Sequence, residues 1–164
     1  GKKLKSKYLI FHGQNLRNPY PSASGFKNME KLLALAKDYG MNLLQENVAR
    51  CVSSQLSYIR EMKEYFGNEI GFTLDIKQSL RSGLLWEEVL EEMGENLRHI
   101  HLSDHDLAND CLLPGEGTMN LSSLKRKLED KNFTGSILIE LYRQNYKDKE
   151  DLIRSYRFLE QKFS

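Results

Sequence analysis

His12, Glu46, Asp75, His101 and Glu140 stand out because each sits at or near the C-terminal end of a short, otherwise apolar segment. Carboxylates and imidazoles are costly beside a buried sheet unless paired, hydrogen-bonded or bound to a metal. In parallel α/β folds that end of the sheet is where ligands bind, so Glu46, Asp75, His101 and Glu140 are expected to converge on one mouth. Three carboxylates and one imidazole form a mostly hard ligand set that suits one divalent ion: Mn²⁺, Mg²⁺ or Co²⁺, with Zn²⁺ also admitted. Open coordination positions could take two oxygens of a substrate, and a flanking carboxylate could move the proton beside the polarised carbonyl. A single acid at a strand end is more often a helix cap or a surface ion-pair partner. The pattern alone leaves the shared site and the scattered caps both open.

The elements that must position these residues alternate along the chain. Apolar runs at 7–12, 41–46, 70–75, 97–102 and 136–141 read as strands,. Helices are expected between them. Met29, Leu32, Leu33 and Ala36 recur at helical spacing in 26–39. Leu56, Ile59, Met62 and Phe66 do the same in the next helix, followed by Trp86, Val89, Leu90 and Met93, then Leu121, Leu124 and Leu128,. Gly40, Gly67 and Gly94 read as stops, and Asn120 and Asp148 as caps,. Asn18, Pro19, Pro21, Ser22 and Gly25 read as a loop after the first strand, which is expected to be buried on both faces,. Leu152, Ile153, Tyr156, Leu159 and Phe163 read as the buried stripe of the last helix. Strand ends roughly 30 residues apart imply βαβ units and a parallel sheet.

The 164 residues suit one domain, taken as 1–164,. Twenty-four Lys+Arg against 23 Asp+Glu give a net charge of +1, with no electrostatic footprint for nucleic acid,. No apolar run approaches the ~20 residues of a membrane span, so no membrane partner is expected. Two cysteines, Cys51 and Cys111, are too few for a disulfide framework, and a cytoplasmic location follows as the expectation,.

The series LLQENV (43–48), FTLDIKQ (72–78), HIHLSDHD (99–106), LPGEG (113–117) and ILIEL (137–141) resembles the xylose isomerase-like TIM-barrel superfamily. That superfamily holds sugar and sugar-phosphate isomerases and epimerases and the type IV apurinic endonucleases. The resemblance implies that Glu46, Asp75, His101 and Glu140 bind one divalent metal, with Glu46 and Glu140 also the catalytic acid/base pair. It implies a (β/α)₈ barrel, of which five βα units, about strands 4–8, are present here. A whole barrel takes about 250 residues, so roughly three units of ~30 residues each are expected to be missing ahead of the first strand. A homo-oligomer or a separate N-terminal segment could restore closure.

Three positions depart from the family pattern. Gln78 replaces a histidine three residues after the metal aspartate, and an amide shuttles no proton. PGEG replaces the Asp-x-His pair of the endonucleases, which speaks against a three-zinc cluster. Residues 107–113 carry no arginine, which leaves the sugar open.

The expected activity is metal-dependent isomerisation or epimerisation of a carbohydrate or polyol. A non-catalytic barrel fragment acting in an assembly is the second reading, and an apurinic-endonuclease-like nuclease is the disfavoured third. His12, Lys77, Gln78 and Glu116 are candidate substrate contacts. Asp104 and His105 are candidate partners that orient the metal histidine. His99, Trp86 and the two cysteines read as structural.

Overall fold

The computed structural model describes residues 5–19 and 22–164. Five strands and six helices follow one another as β1 (Tyr8–Phe11), α1 (Ser22–Asp38), β2 (Asn42–Glu46), α2 (Leu56–Phe66), β3 (Gly71–Asp75), α3 (Ile76–Arg81), α4 (Trp86–Met93), β4 (Leu97–Leu102), α5 (Leu121–Asp130), β5 (Ser136–Ile139) and α6 (Lys149–Phe163). The strands form one sheet in chain order, and every neighbouring pair is parallel. Each crossover is helical, with two helices, α3 and α4, between β3 and β4, so the described residues form a half-barrel, part of a TIM barrel,. No helix among the described residues is long and apolar enough to cross a membrane.

The helical patterns find their partners on the outer face of the sheet. Leu33 of α1, Ile59 and Met62 of α2, Trp86 and Leu90 of α4 and Leu124 of α5 pack with Leu43, Phe72, Leu74 and Ile100 in one core. Gly40 follows α1 at φ +68°, a conformation that side-chain-bearing residues rarely adopt,. There the Gly40 and Met41 amides close back onto Lys37 and Ala36 carbonyls,. Asn120 caps α5 by accepting from the Ser123 amide, and Asp148 caps α6 through the Glu150 and Asp151 amides,. These caps and stops fall where the sequence places them.

Four expectations need correction. β1 is an edge strand with Leu9 exposed, not a doubly buried one. Ser22 and Gly25 belong to α1, which starts four residues before Phe26 because its first turn lacks apolar periodicity; Pro21 lies outside the described residues. The segment after β3 holds a separate helix, α3, too short to show a 3.6-residue period,. Finally, Ile153 and Tyr156 of α6 are exposed while Leu159 is buried. α6 lies over β5, the other edge strand, and a groove of about 490 Å³ lined by Ile137, Ile139, Leu152, Tyr156, Leu159 and Phe163 runs between them.

Candidate metal centre

The parallel register explains why four side chains meet. Glu46 ends β2 and Asp75 ends β3. Asp75 pairs with His101, His101 pairs with Leu138, and Glu140 stands two residues beyond Leu138. Cross-strand partners share a face, as do residues two apart, so Asp75, His101 and Glu140 emerge on one side of the sheet. The Glu140 amide donates to the Leu102 carbonyl at 3.0 Å, which continues the ladder one residue past β5.

One ligand atom from each of Glu46, Asp75, His101 and Glu140 lies within 4.8 Å of the others. The His101 Nδ1 is 3.2 Å from Glu140 Oε2, 3.6 Å from Glu46 Oε1 and 3.7 Å from Asp75 Oδ2. It is fully buried yet has no hydrogen-bond partner. A buried nitrogen without a hydrogen bond, surrounded by three carboxylate oxygens, fits a divalent cation. The donor set is hard and mixed O/N, as Mn²⁺, Mg²⁺, Co²⁺ or Zn²⁺ accept. These four residues would hold the ion.

Charge shapes the site. Burial on its own would lower the His101 pKa, but Asp75, Glu140 and Glu46 override it and push the imidazole up to about 11. Glu140 is held well below the usual carboxylate range, by His101 first and then by Asp75 and Lys77, against the opposing effect of burial. Burial raises Asp75 despite His101 and Lys77. Three carboxylates this close and this dry require positive charge among them.

Part of that charge comes from Lys77. Its Nζ lies 2.6 Å from Asp75 Oδ2 and 2.5 Å from Glu140 Oε2, and the residue is only 3% exposed. Lys77, expected as a substrate contact, thus places its ammonium on two of the four candidate metal ligands, Asp75 and Glu140. His12, at the mouth, places Nε2 3.2 Å from Glu46 Oε2, with about half of its side chain exposed.

The supporting shell is built around Asp75. Its Oδ1 accepts from the Gln78 amide at 3.0 Å and so caps α3, which leaves Oδ2 for the cluster. Asn47 accepts from the Asp75 amide at 2.7 Å and donates to the Asp75 carbonyl at 3.1 Å and to Ser79 Oγ at 2.9 Å. The Gln78 side-chain carbonyl accepts from the Ala49 amide, tying the loop after β2 to α3.

The remaining candidates have other partners. Asp104 is buried, and its two oxygens accept from the His105, Met119 and Gly115 amides at 2.8, 3.0 and 2.9 Å. It therefore organises the 103–119 loop, not the His101 ring, contrary to the expectation. His105 takes part through its backbone carbonyl, which accepts from the Thr118 amide and hydroxyl. Glu116 accepts from Arg154 of α6 at an exposed ion pair and is outside the four-residue group. His99 Nδ1 pairs with Ser136 Oγ at 2.7 Å, and its ring stands edge-on to His101.

The sequence reading missed two residues. Arg81 is paired with Asp110 and donates to the Tyr142 hydroxyl at 2.6 Å. The Tyr142 ring in turn lies 5.6 Å from Lys77 Nζ. Arg81 is one helical turn beyond Lys77, a spacing that would have linked the two had α3 been recognised.

Comparison with known proteins bears on the family and the fold. The family model for the xylose isomerase-like TIM barrel matches residues 2–162. Fructoselysine 3-epimerase of Escherichia coli O157:H7 is 40% identical over 52 residues, 31% of this chain and 19% of that protein. A D-psicose 3-epimerase structure, obtained in the presence of D-fructose, superposes with a TM-score of 0.78 at 18% identity, covering 99% of this chain and 66% of that one. The zinc-bound IOLI protein gives the same TM-score and identity over 99% and 65%. The chain thus spans about two thirds of these solved structures, and the sequence match spans about a fifth of the curated epimerase.

Proposed function

The chain belongs to the xylose isomerase-like TIM-barrel family, and from that premise we propose that it carries the metal-binding half of a sugar or sugar-phosphate epimerase or isomerase. The observation that carries this reading is the buried His101 Nδ1, without a hydrogen bond and enclosed by the carboxylates of Glu46, Asp75 and Glu140. The sugar-acting relatives support a carbohydrate or polyol as substrate.

A divalent ion held by the four residues would polarise a substrate carbonyl and acidify the neighbouring C–H. The protein's own groups do the proton work. Glu46 and Glu140 come from β2 and from just beyond β5, the outermost ligands of the four-strand series, with Asp75 and His101 between them. A carbon held over the centre therefore meets one carboxylate from each side, so that one can remove a proton while the other returns it. Glu46 spans the site, with Oε1 beside His101 and Oε2 beside the half-exposed His12 at the mouth. Gln78 shuttles no proton, and its role is to brace the loop after β2,.

The test is exchange of solvent deuterium into the carbon next to the carbonyl of ketoses and ketose phosphates. The purified protein, with Mn²⁺ added, is expected to catalyse it on at least one sugar, followed by NMR. Stoichiometric metal binding with no exchange on any sugar would favour the non-catalytic reading instead.

A further inference from the structure

We propose that Lys77 is a tethered competitor for the metal: its ammonium occupies two of the four ligand groups, and a divalent ion takes them only by displacing it. This rests on the reading of Glu46, Asp75, His101 and Glu140 as metal ligands.

The geometry forces the competition. Lys77 Nζ is 2.6 Å from Asp75 Oδ2 and 2.5 Å from Glu140 Oε2. These same two oxygens are the ones that face His101 Nδ1. An ion bonded to both oxygens, about 2.0–2.2 Å from each for the small divalent cations, would have to share them with an ammonium already in contact with both. Two cations on the same pair of buried oxygens repel strongly in so small and dry a space.

The local chain builds Lys77 into this place. Asp75 caps α3 through Oδ1, which fixes the first turn of the helix, and Lys77 lies in that turn. Asn47 and Ser79 hold the same turn from behind. The lysine is buried along its length, so its head is not free to wander in solvent. The Tyr142 ring, 5.6 Å from Nζ, offers the ammonium an attraction independent of the carboxylates,. The ammonium thereby offsets part of the carboxylate charge, and loading becomes an exchange of cations.

The experiment is a Mn²⁺ titration of the purified protein and its K77M, K77Q and K77R variants, read by electron paramagnetic resonance of free Mn²⁺ and by calorimetry. K77M and K77Q should bind Mn²⁺ about tenfold tighter or better, the scale of one charge-assisted contact no longer competing. K77R, which keeps the charge, should show no such gain. K77Q keeps an amide that can still donate to a buried carboxylate, so a folding failure in K77M leaves K77Q to report. Mn²⁺ binding by the native protein with no gain in either neutral variant would overturn the competition alone. Absence of binding in native and variant proteins alike would overturn the metal reading and the competition together.

Discussion

Asn47 grips Asp75 by its peptide groups in both directions, accepting from its amide at 2.7 Å and donating to its carbonyl at 3.1 Å. The residue next to one metal-ligand candidate thus fixes the backbone of another on the neighbouring strand. The side-chain amide reproduces the pairing that a further ladder step would make, just where β3 gives way to α3. It sets the direction in which the Asp75 carboxylate leaves the sheet.

Asn47→Ala leaves a buried amide without its partner and should cost about 2 kcal/mol or more of stability. It should also weaken Mn²⁺ binding, since Asp75 loses its aim. Melting curves and a metal titration check the two effects separately; an Asn47→Ala protein with native values for both would refute the bracing role.

Glu140→Gln keeps the shape of the side chain and removes its charge. Deuterium exchange into substrate should fall by about 10²–10⁴-fold, the range for losing a general acid or base, and Mn²⁺ affinity should fall with it. Glu46→Gln should do the same. If either variant exchanges at the native rate, the two carboxylates are not the proton-transfer pair.

The 103–119 loop depends on Asp104. Asp104→Ala strands three backbone amides and should cost about 1–3 kcal/mol. Hydrogen exchange at the Gly115 and Met119 amides should quicken most, because they donate to its carboxylate. Gly117→Ala should act through the same point, since an added Cβ would collide with Asp104 Oδ1 and the His105 carbonyl. Unchanged protection at those two amides in both variants would show that the loop is held by something else.

Alkaline pH should loosen the outer layer at α2. Burial, with a further contribution from Glu61, pushes the Tyr58 phenol up to about 12 from an ordinary 10.0. The folded chain therefore keeps a proton that the unfolded chain gives up. That stability is complete below pH 10 and drains away as pH rises towards 12,. Melting temperature should drop over that window in the native protein and less steeply in Tyr58→Phe; parallel curves would count against it.

Much of this architecture was legible in the residues. β4 and α4 begin and end where the apolar patterns place them, and Asn120 and Asp148 cap as expected, because short strands and amphipathic helices are written locally. The convergence of Glu46, Asp75, His101 and Glu140 was also visible, since strand ends in a parallel sheet point to one rim. What stayed hidden depends on contacts between units. Asn47 looks like an ordinary loop residue until Asp75 is beside it, and Lys77, read as a substrate contact, shows its pairing with the site carboxylates only when β5 brings Glu140 over it. Asp104 belongs to its own loop because Gly115 and Met119 fold back onto it, which spacing along the chain does not reveal.

The sheet runs β1-β2-β3-β4-β5, so neighbours in space are neighbours in the chain. During synthesis, Glu46, Asp75, His101 and Glu140 would arrive one unit at a time, each beside the strand made just before it. Only modest loops need to close at any stage, which keeps the entropic barrier to assembly low. A cation-binding nest made this way can take shape from the ribosome outward, without waiting for distant stretches of polypeptide to find each other.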